Sequence, residues 1–363
     1  YEYDNNGNLI SEATNNGDKT TYNYDALNRM VSITDPLKNI TQYSYDKAGN
    51  VQKIIDPLGK ETKYEYNGKN LSTKVTDALN QVISIEYDKN GNITNIIYPN
   101  GDVIAMSYDN SNRMQSMEDT AGVISTYEYD SMDQIIKEED KAGNKLINTY
   151  DKQGRLISQE DVLGRTIKYT YDLSGNISSK IDIDGNKTLY EYDKRDRLVK
   201  LTDPEGKITK IAYDGLNRVI EKVDPNNKIY KYQYDALGNL IKEIDPLKYE
   251  TNYSYDKNGN LVEVKNSKEN SKKYEYDPLD KLISFIDEKG NKTDLSYDSR
   301  GSLIKIKDPM ANVIQYKYDA INRLEMEVDA LGFETKYQYD SLNNLIAEID
   351  AKGNKTSYEY NKQ

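Results

Sequence analysis

The sequence predicts an all-β protein: a long antiparallel β-meander of short strands, two per repeat, curled into a spiral, an open strip or a partial shell. Three observations predict it. Tyrosine recurs every 21 residues, from Tyr3, Tyr24 and Tyr45 through Tyr234 to Tyr339 and Tyr360, in about 18 registers with no insertion or deletion. Each period carries two turn signatures. Between the turns lie segments of about six or seven residues, in which apolar positions follow the period of two expected of strands.

The first turn begins at the residue after the marker tyrosine, as in Asp46-Lys47-Ala48-Gly49 after Tyr45 and Asp235-Ala236-Leu237-Gly238 after Tyr234; Asp25 opens another after Tyr24. Asp stands first in 16 of 18 periods, and three places later the residue is Gly, Asn or Asp in all 17 periods that reach it. These are the residue types that tolerate a left-handed backbone. The strand that follows opens on an aliphatic pair, such as Leu240-Ile241 or Leu261-Val262, turns polar, and often ends apolar, as at Ile244. A bulge after the glycine would shift its alternation, so its facing stays open.

The second turn starts ten residues after the first, as in Asp56-Pro57-Leu58-Gly59 and Asp245-Pro246. Asp leads it in 14 of 17 periods and seven of the eight prolines stand second in it. Asp first, Pro second and Gly fourth is the pattern of a type I turn: Pro presets φ and the Asp oxygen caps backbone amides. The strand leading back to the marker alternates cleanly, as in Thr41-Gln42-Tyr43-Ser44-Tyr45, with Thr and Tyr on one face and polar residues on the other.

Strands joined by such tight turns run antiparallel, because a parallel connection needs a dozen or more residues. About 36 strands at roughly 4.8 Å each give a ribbon on the order of 170 Å long and about 20 Å wide. Twist should curl a ribbon of that length. Unbroken periodicity argues for one continuous array over residues 1–363, each repeat touching mainly its neighbours. The array opens and stops inside a repeat, at Tyr1-Glu2-Tyr3-Asp4 and Tyr358-Glu359-Tyr360-Asn361, which we read as a fragment of a larger protein.

Composition narrows the function. The 34 Tyr, against 2 Phe and no Trp, build the packed surface from phenol rings whose hydroxyls need partners, so a closed apolar core is not expected. A net charge of -12, from interspersed acids and bases, offers no basic strip for nucleic acid. No apolar run approaches the length of a membrane span. With no His and no Cys, the usual triads, thiol nucleophiles and most zinc ligand sets are missing. Carboxylates remain, but they recur at every turn, whereas acid–base catalysis needs one asymmetric pair. The expectation is a non-enzymatic protein with no cofactor and no metal, its turn aspartates capping backbone rather than holding Ca²⁺. Rows of Tyr could stack on sugars, although cross-strand packing is the simpler use.

The run Tyr234-Asp235-Ala236-Leu237-Gly238-Asn239-Leu240-Ile241-Lys242-Glu243-Ile244-Asp245-Pro246 resembles the Rhs or YD-repeat family, whose hallmark is a Tyr-Asp pair, a Gly-Asn-Leu exit and an Asp-Pro-x-Gly turn. The resemblance covers the whole chain. It implies a spiralling β-sheet that winds into a hollow shell, as in bacterial Rhs and toxin-complex proteins and in teneurins. By that resemblance the chain is a wall segment of a secreted or cell-surface bacterial protein. Its expected partners are a toxin-like polypeptide payload or neighbouring shell segments. The core segment associated with self-cleavage in family toxins is not found in this sequence. The alternative is an extracellular adhesion surface that binds cell-surface carbohydrate.

Three turns break pattern: Asn67-Gly68-Lys69-Asn70, Tyr98-Pro99-Asn100-Gly101 and Asn266-Ser267-Lys268-Glu269. In the first, Leu71 arrives one place early, which suggests a local bulge. Asn148 replaces the second Tyr of its repeat.

Overall fold

The computed structural model describes residues 1–360, which form 35 strands and no helix. The turn aspartate position at Asn361 lies outside the described residues. Contacts group into two compact units: one holds Tyr1–Val103, Ser254–Val264 and the chain from Asn270, the other Ile104–Tyr253 with Lys265–Glu269. In the first unit Lys19–Tyr24 pairs antiparallel with Met30–Thr34, which pairs antiparallel with Ile40–Tyr45. In the second, Ile229–Tyr234 pairs the same way with Leu240–Ile244. Both are β-meanders.

The two turns of a repeat close alike. In the first, the Asp235 N–H donates to the Asn239 carbonyl at 3.0 Å and the Gly238 N–H to the Asp235 carbonyl at 3.2 Å. In the second, the Asp56 N–H donates to Lys60 O at 3.0 Å and Gly59 N–H to Asp56 O at 2.9 Å. The fourth residue is left-handed in both, with φ of 95° at Gly238 and 74° at Gly59. Gly is not obligatory at the second turn: Lys38, Lys248, Glu269 and Ala311 stand there at φ between 65° and 72°.

The hairpins differ beyond the turn. Tyr234 pairs with Leu240, but Gln233 pairs with Lys242, so Ile241 is an extra, bulged residue. The same shift follows Tyr24 and Tyr45. After the second turn the register is unbroken, as in Ile55↔Glu61 and Ile54↔Thr62. This settles the facing of the aliphatic pair: its first member sits opposite the marker tyrosine and its second is the bulge. From Lys242 the alternation resumes.

Side chains are mostly half-exposed. Among the described residues Ala347 is the one buried apolar side chain, and Ser11, Ser125, Ser179 and Ser284 are buried beside it in kind. The array therefore holds by ladders of cross-strand pairs and turn hydrogen bonds more than by a core.

Leu71 corrects an expectation. The turn opening at Asn67 closes on Leu71 as other first turns do, and the shift between Glu65 and Tyr66 is the ordinary one. Leu71 takes the fifth turn place and Ser72 opens the strand opposite Tyr66, so no additional bulge is needed. A hairpin that looked regular in sequence is the deviant: Asp119 pairs directly with Gly122, and the register shifts between Met117 and Glu118.

Candidate functional site: two turn rims and a seam

The turns line the two long edges of the meander, and chemistry concentrates there. On the first-turn rim the Asp235 carboxylate accepts the Leu237 and Asn239 amides at 2.9 and 2.8 Å, and the Asn239 side-chain amide at 2.9 Å. Asp46 accepts from Ala48 and Asn50 in the same way, and Asp25 from Leu27 and Arg29. The Asn239 side-chain bond holds the Asp235 carboxyl below its usual range; Asn50 does this for Asp46 and Arg29 for Asp25. Asp193, gripped by Arg197, is pulled down to about 2. These oxygens are used up as caps on their own turns.

The marker tyrosines reach backwards. The Tyr234 hydroxyl donates to the Val219 carbonyl at 2.8 Å, Tyr45 to Met30 at 2.6 Å and Tyr24 to Leu9 at 2.9 Å. Each acceptor opens the strand of the preceding repeat, beside its bulge, where the ladder is interrupted and a carbonyl needs a donor. Burial raises the Tyr45 and Tyr234 hydroxyls above the usual phenol range.

The fifth turn residue completes the rim. Arg218 pairs with Asp214 at 2.7 Å, lies 4.9 Å over the Tyr234 ring, and donates to the Asp235 carbonyl at 2.7 Å. Arg29 repeats this on Tyr45 and the Asp46 carbonyl. Where Asn stands there, as at Asn50, it donates to the next turn's Asn70 at 3.0 Å. One turn is thereby tied to the next. Sequence reading did not single out Arg29, Arg218 or Asn50 for this; the recurrence of Arg or Asn at the fifth place was the available signal.

On the second-turn rim Asp56 accepts from the Leu58 and Lys60 amides at 2.9 and 2.8 Å, and Asp245 from Leu247 and Tyr249 at 2.8 Å each. Pro57 and Pro246 stand second in these turns, as the type I pattern requires. The bonds run within each turn.

Inside the first unit the two rims meet. The Asn16 amide donates to the Asn258 side chain at 3.0 Å, 242 residues away, and the Asn16 side-chain amide to Asp256 at 3.2 Å. Arg300 lies 3.6 Å from Asp56 and is 12% exposed. Asp77, Tyr98 and Pro99 share a cleft with Ser341, Leu342 and Asn343. In each case a second turn faces a first turn, and twelve periods of 21 residues separate Asp4 from Asp256. Burial follows. Asn258, Leu279, Arg300, Ile321 and Leu342, all third in their first turns, are half-buried, while the same place in every earlier repeat is exposed.

The structure thus brings Asp56 to the seam. It sets Tyr24, Asp25, Tyr45, Asp46, Gly49, Tyr234, Asp235, Gly238 and Leu240 along the first-turn rim, and Pro57, Gly59, Asp245 and Pro246 along the second.

The sequence pattern of the teneurin YD-shell matches residues 1–146, 104–224 and 209–363. Among solved structures the chain is similar to TcdB2-TccC3 without its hypervariable C-terminal region, at a TM-score of 0.77 and 14% identity, covering 94% of this chain and 21% of that one. It is similar to TcdB2-TccC3 at 0.61 and 15%, covering 98% and 24%. A Tc holotoxin pore from Photorhabdus luminescens matches at 0.51 and 15%, covering 96% and 24%. At these identities the likeness is one of fold, and the chain spans less than a quarter of the length of those structures. No curated protein matches the chain in sequence.

Proposed function

The chain belongs to the teneurin YD-shell family, and from that premise we propose that it is a non-enzymatic wall segment of a secreted or cell-surface bacterial protein, enclosing or displaying a toxin-like polypeptide. A structural shell role is what the family and the fold share. The observation that carries the reading furthest is the seam: turns some 240 residues apart are hydrogen-bonded and ion-paired within one unit, so that there one rim is laid against the other. A wall of this kind separates two sides. Its polar groups are spent on holding it together, which supports a structural use over catalysis.

The carbohydrate-binding reading receives less support. Marker tyrosine hydroxyls, the polar handles a sugar would need, donate to backbone carbonyls, and several rings are covered by guanidinium groups.

Limited proteolysis of the intact native protein tests the proposal. We expect a resistant body that retains an otherwise protease-sensitive polypeptide until the wall is unfolded. A guest digested as fast as the free polypeptide, or a wall-linked rod with no guest, would overturn enclosure.

A further inference from the structure

A pair of facing lysines occurs twice at the same register, compensated in the first unit and uncompensated in the second. In the first unit Lys53 stands directly opposite Lys63, an arrangement that costs free energy unless an anion intervenes. Glu61 is that anion. It pairs with Lys53 at 3.0 Å and with Lys63 at 3.2 Å, and the two ammonium groups hold its carboxyl below the usual range. Seven periods of 21 residues further on, in the second unit, Lys200 stands opposite Lys210, but Ile208 occupies the place of Glu61. Lys200 pairs with Glu191 at 2.7 Å. Among the described residues Lys210 has no ion-pair partner, and neither have Lys168 and Lys187, which the register carries onto the same face through Ile181 and Leu189. Aliphatic side chains lie bare between these lysines: Leu189 is 40% exposed, Ile208 37% and Ile229 45%. A chain of net charge -12 thus carries a basic, apolar patch in mid-sheet, away from both turn rims.

We propose that this face of the second unit binds an extended polypeptide segment in which carboxylates alternate with aliphatic side chains, one carboxylate taking between Lys200 and Lys210 the place that Glu61 holds between Lys53 and Lys63. Charge complementarity selects the carboxylates, and the exposed Leu189, Ile208 and Ile229 select a partner with apolar side chains among them. A nucleic acid offers phosphates without those side chains, and its many charges meet the net negative field of the whole chain. The inference holds whether or not the wall encloses a guest.

Fluorescence anisotropy of the full chain at low salt tests it, with a fluorescein-labelled hexapeptide of alternating Glu and Val as the probe. The peptide should bind, and added salt should weaken it. Ile208→Glu, which installs the missing acid, should weaken binding about tenfold, as should Lys187→Gln with Lys210→Gln, while Ile208→Val should leave it unchanged. The melting midpoint checks that each variant folds; if Ile208→Glu does not, the lysine variant decides. No binding up to the solubility limit would overturn the proposal, as would undiminished binding by Ile208→Glu. Equal binding of the Gln and Val hexapeptide would reduce the contact to an apolar one, and tighter binding of a single-stranded oligonucleotide of equal charge would assign the patch to polyanions; either result would also overturn it.

Discussion

The two rims of the meander are built from the same turn and behave differently. On the first-turn rim a bulge interrupts the ladder, and the marker tyrosine of the next repeat, the fifth-place Arg or Asn, and the turn carboxylate together repair it. On the second-turn rim the ladder runs straight through, save at Asp119–Gly122, and most turns are capped by their own aspartate. The lesson is that the conspicuous tyrosine follows from a local defect: where the backbone leaves a carbonyl unpaired, a neighbouring repeat supplies the donor, and repeats become coupled on that side.

The sharpest way to break this comparison is Tyr234→Ala. It removes the bond to Val219, the surface under Arg218 and a half-buried ring, at about 2–3 kcal/mol, below the range of fully buried aromatic truncations. Hydrogen exchange should show lost protection in the strands on both sides of Ile229–Tyr234, Val219–Val223 and Leu240–Ile244. Tyr234→Phe should cost about 1 kcal/mol by leaving that carbonyl without its donor. Equal effects of the two changes would mean the hydroxyl contributes everything and the ring nothing.

Next in size is the backbone. A Cβ added at Gly238 meets no atom within 4 Å, so the main cost of Gly238→Val is conformational: a β-branched residue at φ of 95°, about 1–2 kcal/mol. The reverse change belongs on the other rim. Lys248→Gly, relieving φ of 67°, should stabilise by up to about 1 kcal/mol, read as a raised denaturation midpoint. An unchanged midpoint for both would count against the left-handed assignment.

The smallest effect per residue is that of pH. Asp25, Asp46 and Asp235 are held below the ordinary 3.8, and Asp193 at about 2. A depressed carboxyl contributes stability that is present above its unfolded value and lost as pH falls through the folded one. Protection of the Leu237 and Asn239 amides should therefore hold at pH 5 and be lost only as pH falls below the ordinary carboxylate value, through the depressed value of Asp235. Loss of protection already between pH 6 and 5 would show that the caps do not control it.

Much of this was legible in the sequence because it is local. Asp56-Pro57-Leu58-Gly59 states its own turn, and the pair Leu240-Ile241 gives away a bulge that alternation alone would not allow. What the tyrosine does was not legible, since its acceptor lies 15 residues back, at the far end of the adjacent strand across the second turn. Leu71 was misread because turn and strand were divided one residue too early. The seam left the faintest trace. Asn16 and Asp256 are ordinary turn residues, and only the winding of the sheet makes them neighbours.

The offset at the seam bears on how such an array can change by copying. Duplicating one 21-residue repeat between Asp56 and Asp298 would leave every hairpin, cap and bulge intact, because each is complete within its own or the adjoining repeat. It would also slide the rims past each other by one turn, so that Asp56 would face the turn of Leu279 in place of Arg300. Drift inside a repeat is therefore checked by neighbours, and the number of repeats between seam partners is checked by the few contacts across the seam, Asn16 with Asn258 and Asp256 and Asp56 with Arg300.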